Sequence, residues 1–81
     1  MFKIISIKVE GSSINDYTAL PHPVKILDEG VESRIDAIDY LAYEVARMRR
    51  NGTEVVFAGQ DRAFVINESN EPTEVLDVVE Y

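Results

Sequence analysis

The chain contains no cysteine, no tryptophan and a single histidine in 81 residues. Without thiols there is no disulfide framework, no Cys-containing zinc site, no iron–sulfur ligation and no thiol nucleophile. Small secreted domains commonly depend on disulfides, so their lack points to a reducing, cytoplasmic setting. Basic residues are also scarce, eight against fifteen acidic ones, for a net charge of −7. A nucleic-acid binder needs a basic footprint to neutralise phosphates, so nucleic acid is not the expected partner. No run approaches the roughly 20 apolar residues of a membrane span and no basic-then-apolar leader opens the chain, so no membrane association is expected. Glycine occurs only four times, and never as G-x-G-x-x-G or G-x-x-x-x-G-K-[ST], which leaves no phosphate cradle and no cofactor to expect.

Apolar residues, by contrast, make up 46% of the chain and fall in periodic blocks, the pattern of a sequence that builds a core. A chain this short has one core to build, so residues 1–81 are read as one domain. Phe2 to Val9 is β-branched and reads as a strand, with Ile5, Ile7 and Val9 on one face and Phe2, Ile4, Ser6 and Lys8 on the other. Apolar groups on both faces suggest a strand inside a sheet or at a dimer contact. Glu10 to Ser13 breaks the pattern, and Ile14 to Pro23 reads as irregular, held extended by Pro21-His22-Pro23. Val24 to Leu27 reads as a short edge strand next to those prolines.

The helix is bounded by clear signals. Ser33 is placed as an N-cap with Asp36 three residues on, with Val31 as an alternative start. Ile35, Ile38, Leu41, Ala42, Val45 and Met48 follow the spacing of one buried stripe. Glu32, Asp36 and Asp39 crowd the first turns and Arg47, Arg49 and Arg50 the last, complementing the helix dipole at both ends. Asn51-Gly52 supplies the left-handed stop. Thr53 to Ala58 and Ala63 to Asn67 read as a hairpin around Gly59 to Arg62. Thr73 to Tyr81 is rich in Val, Thr and Tyr and reads as a strand, with a short helix as the alternative. Together these predict an α+β fold: one amphipathic helix packed on a mainly antiparallel sheet of four to five strands, in two layers.

Few residues suggest chemistry. His22 lies between two prolines with no second His or Cys to complete a transition-metal set, and is expected to be an exposed loop residue. Ser12 and Ser13 follow a strand but not in G-x-S-x-G, and fit a connecting loop. Asn51-Gly52-Thr53 and Asn67-Glu68-Ser69 match the glycosylation triplet, and modification is not expected in a reducing setting. Asp36 and Asp39, with Asp28, Glu29 and Glu32 upstream, offer oxygen ligands, but not in a D-x-D-x-D-G loop with a distal Glu. The helix dipole gives those acids a sufficient structural reason, so no metal is expected and no catalytic set emerges.

Two surface patterns remain. Asp36, Tyr40, Tyr43 and Arg47 run at i, i+4, i+7 and i+11 on the side of the helix away from Ile38, Leu41 and Val45. Tyr and Arg are enriched at binding hot spots because they offer large contact area with polar tips, which makes these four the candidate partner-binding residues. Charge is uneven as well: +1 over residues 1–27, −5 over 28–44, +3 over 45–50 and −6 over 51–81. Glu68, Glu71, Glu74, Asp77 and Glu80 recur every third residue, giving one acidic face on a helix but splitting between both faces of a strand.

The expectation is a small acidic module that works by contact with a protein partner, one with a basic surface, or with a second copy of itself as a homodimer. It is not expected to be an enzyme. Accessory proteins of phages and mobile elements that block a host factor have this character. The alternative is a small-ligand or enzyme-accessory domain with a pocket between helix and sheet and Arg62 or His22 at its mouth.

Overall fold

A computed structural model describes all residues 1–81. In chain order the elements are β1 (Phe2–Ser13), β2 (Asp16–Ala19), β3 (Lys25–Val31), α1 (Arg34–Arg50), β4 (Val55–Phe57), β5 (Arg62–Ile66) and β6 (Pro72–Glu80). The fold is α+β, with the helix on one face of an antiparallel sheet, as the sequence predicts. The sheet has six strands, more than the four to five expected. No helix is long and apolar enough to cross a membrane.

β1 organises the sheet. Along one side it pairs with β6 without interruption, from Phe2 opposite Glu80 to Lys8 opposite Glu74. Along the other side its twelve residues serve two short strands in succession, β3 against Phe2–Ser6 and β2 against Val9–Ser13. Beyond β6 lie β5 and then β4, which forms the outer edge. The extra strand is β2, in the segment read as irregular. Its residues are mostly exposed, so it carries none of the apolar alternation that reveals a half-buried strand. Polar groups close its turn instead: Ser12 Oγ donates to Asp16 Oδ2 at 3.0 Å and the Asn15 N–H donates to Ser13 Oγ at 3.2 Å. β1 accordingly runs on through Glu10–Ser13, with a register shift between Gly11 and Ser13. β3 is longer than the Val24–Leu27 predicted and absorbs Asp28 and Glu29, with two register shifts against β1. The segment from Pro72 to Glu80 is a strand flanked on both sides, so its carboxylates divide between faces and no acidic helix face exists there.

Ser33 is the N-cap of α1, its side chain accepting from the Asp36 N–H at 3.1 Å, and Asn51 is the C-cap before Gly52 at φ +85°. Ala37, Leu41 and Val45 are the buried helix residues, with Ile38 and Met48 half-buried. Ile35 and Ala42, placed on the buried stripe by spacing, are exposed, Ile35 by 74%. The helix rests on the sheet along a narrow line, so a residue one position off that line reaches solvent. Leu41 and Val45 pack with Ile4, Leu76, Ala63 and Val55 into the main core, with Leu27, Val65 and Val78 at its margin. Full burial of a side chain such as Leu41 contributes about 1.5–3 kcal/mol.

The opposite face of the sheet has a second, smaller cluster of Val9, Phe64 and Val75. No helix covers it. Tyr17 of β2 folds over it instead, edge-to-face on Phe64 with ring centroids 5.2 Å apart. Gly11 makes this closure possible, because a Cβ there would lie 2.2 Å from the Asp16 carbonyl oxygen and 2.5 Å from Tyr17 Cα.

Candidate interaction site on the helix

The exposed side of α1 carries the predicted stripe. Tyr40 and Tyr43 are 48% and 59% exposed, and neither the 11–23 segment nor the C-terminal strand covers them. They share a surface recess of about 590 Å³ with Asp28 of β3 and Asp36, Asp39 and Glu44 of α1. A second recess continues from it around Asp28, Asp36 and Tyr40, and adds Glu29 and Glu32. The helix start and the strand before it thus form one furrow with carboxylates on both walls and two tyrosines along the helix side.

No cation lines this furrow. Arg34, the basic residue of the first helical turn, points elsewhere and pairs with Asp61 at 2.8 Å. Arg47 donates to Glu44 at 2.5 Å, and this hydrogen bond, reinforced by the attraction between the charges, raises the guanidinium above its ordinary pKa. The structure therefore gathers Asp36, Tyr40 and Tyr43 in one site and sets Arg47 at its border, bound to the last carboxylate of the wall. Nowhere do three or more His, Asp or Glu side chains converge in a set that could hold a metal ion. Half-exposed aromatic rings beside a row of carboxylates offer a cation two attractions at once: the negative ring face and the full negative charge.

The other nominated residues fall outside this site. His22 is exposed, and its backbone N–H donates to the Leu20 carbonyl in a tight turn. Ser12 and Ser13 are spent on the β1–β2 turn. Neither Arg62 nor His22 stands at the mouth of a pocket between helix and sheet. Arg62 lies in β5 on the face of the sheet away from the helix, donating to Asp77 at 3.0 Å, and that bond raises its pKa. A recess between helix and sheet does exist, lined by Ser6, Lys8, Lys25, Glu44, Arg47 and Glu74 among others. Its sequence signal is the polar pair Ser6 and Lys8 on the same face of β1 as Ile4. That signal went unread because nothing in the sequence alone brings β3 and Glu74 beside it.

Comparison with family models, with curated proteins and with solved structures found no match.

Proposed function

We propose that this chain is a non-catalytic protein-interaction module that takes a lysine- or arginine-bearing segment of a partner protein into the furrow between β3 and α1. One observation carries the reading: Tyr40 and Tyr43 stand about half exposed beside Asp28, Asp36, Asp39 and Glu44, with no cation lining the furrow. Exposed aromatics of this size contribute most when a partner desolvates them, and a cation over a tyrosine ring contributes about 0.5–1 kcal/mol at an exposed site. The carboxylates steer a basic segment in and set its register, and they lose range as salt shortens the screening length.

The test is titration with a short arginine- and lysine-rich peptide, followed by tyrosine fluorescence and amide NMR shifts. Tyr40→Ala with Tyr43→Ala should weaken binding about tenfold, as should Asp36→Asn with Asp39→Asn. Removing the same charge elsewhere, with Glu10→Gln and Glu68→Gln, should leave it nearly unchanged. Equal weakening by both charge pairs would reduce the interaction to net charge and refute the site. A second copy of the chain is another source of arginine, through Arg47, Arg49 and Arg50 at the end of α1. Sedimentation without peptide identifies that occupant as a dimer that dissociates as salt rises.

A further inference from the structure

We infer that the recess beneath the last turns of α1 is a binding site for a small organic anion, a carboxylate carried on an apolar body. Four walls enclose it, from the last turns of α1, from β3, from β1 and from β6. Its volume is about 260 Å³. At about 30 Å³ per water-sized group it holds roughly eight such groups, the size of a short-chain fatty acid.

The lining departs from the rest of the fold in a specific way. On the helix-covered face of β1 and β6, Ile4, Leu76 and Val78 join the core. Ser6, Lys8 and Glu74 continue the same face with polar groups, and Ser6 is only 3% exposed while the Glu74 side chain is 17% exposed. Apolar residues in those places would extend the core and would not carry the desolvation cost of a hydroxyl and a carboxylate. Departures of this kind from otherwise consistent patterning are expected at functional sites.

The internal pairing then fixes the sign of what enters. The Ser6 hydroxyl donates to Glu74, Lys8 lies 3.6 Å from the same carboxylate, and Glu44 holds Arg47. Both carboxylates are paired within the chain, and three cations line the recess against two carboxylates, which leaves one positive charge in excess. An ammonium has three N–H groups and a guanidinium five, so Lys8 and Arg47 keep free donors. Lys25 makes no ion pair within the chain. Three cations therefore offer hydrogen bonds to an incoming oxygen anion, beside the half-buried Leu27 and Met48, which accept its hydrocarbon. The inference stands apart from the furrow: of the lining residues only Glu44 is shared, and neither lysine belongs to the furrow.

The probe is sodium hexanoate, titrated into the full chain at constant ionic strength and followed by amide NMR. Hexylammonium supplies the same body with the opposite charge, and inorganic phosphate supplies the charge without the body. Hexanoate should give saturating shifts at Ser6, Lys25, Met48 and Glu74, while hexylammonium gives none there and phosphate binds at least about tenfold more weakly. Lys25→Gln, an exposed and unpaired residue whose loss does not threaten folding, should weaken hexanoate about five- to tenfold, the worth of one hydrogen bond to a charged group. Tyr40→Ala with Tyr43→Ala should leave hexanoate binding unchanged, which separates this site from the furrow. Absence of saturating shifts, hexylammonium binding at these amides, phosphate binding as tightly as hexanoate, or an unaltered affinity in Lys25→Gln would each overturn the assignment.

Discussion

Arg49 reaches back from the last turn of α1 to the carbonyl of Val55, donating from Nη2 at 2.7 Å and from Nε at 3.3 Å. Its guanidinium also lies 5.5 Å from the centre of the Phe57 ring. β4 is the outer strand, and the Ile66 N–H to Glu54 carbonyl and Ala58 N–H to Arg62 carbonyl bonds bracket its pairing with β5. Alternation then turns the backbone groups of Val55 and Phe57 toward the open edge. Arg49 closes one of those groups and covers the adjoining ring, so it protects an edge otherwise ready to pair with another chain. Arg49→Ala should cost about 1 kcal/mol in urea denaturation and increase light scattering at high protein concentration. Unchanged scattering in a destabilised variant would limit Arg49 to stability.

Gly11 is required by backbone, not by a flexible neighbour. The added Cβ of Gly11→Ala would meet the Asp16 carbonyl oxygen and Tyr17 Cα, neither of which can swing aside. The β1–β2 turn has to open, and Tyr17 then leaves Phe64. We expect a loss of about 1–3 kcal/mol and a change in the tyrosine near-ultraviolet circular dichroism, with the fold retained through the main core. A variant as stable as the parent would show that the turn adapts without moving Tyr17.

Much of this architecture was legible in the residues, and the misses share a physical cause. The helix ends could be read because Ser33 and Asn51-Gly52 act locally, through caps that need no tertiary partner. The last strand was legible from its β-branched content, but its central place between β1 and β5 is a tertiary fact. β2 was missed because an exposed strand held by turn bonds carries no periodic apolar signal. Of the candidate site, the Tyr40–Tyr43 stripe follows from helical spacing alone. Sequence offers Asp28, Glu29 and Glu32 as oxygen ligands or helix-start acids but does not join them to the tyrosines, and it is the extension of β3 to Val31 that lays them along the same furrow.

Ile35 and Leu41 both fall in the apolar stripe that the spacing predicts, but they stand well apart around the helix and differ in the structure. Leu41 is fully buried against the sheet, whereas Ile35 is 74% exposed. Leu41→Ala should cost about 2–5 kcal/mol, by lost transfer energy and by the cavity left under the helix. Ile35→Ala should change stability by no more than about 0.5 kcal/mol, with alanine's better helix propensity offsetting what little packing is lost. Chemical denaturation of the two variants in parallel decides the matter. A comparable loss at Ile35 would mean that a partner chain covers it.

Arg62 and Asp77 sit opposite one another on β5 and β6, on the face of the sheet that the helix leaves open, with Ile5 across from Asp77 on β1. Ile5 and Ile7 of β1, Val56 of β4 and Ile66 of β5 lie on the same face and are only partly buried, so the pair interrupts a largely apolar stretch that also carries Lys3. The Asp77 side chain is 17% exposed and Arg62 is its ion-pair partner. Arg62→Met alone leaves that carboxylate uncompensated and should destabilise by roughly 1–3 kcal/mol. Replacing both, as Arg62→Met with Asp77→Leu, removes the desolvation cost along with the attraction, so stability should return to within about 1 kcal/mol of the parent. The double variant differs in another respect: its open face exposes a larger apolar patch, a surface that drives association between copies. Sedimentation should find it self-associating at concentrations where the parent's state is unchanged. That combination, a stability restored and a solubility lost, would show that the ion pair is kept for the surface and not for the fold. A double variant that is both stable and unaltered in sedimentation would show that the turn over Phe64 already shields this face.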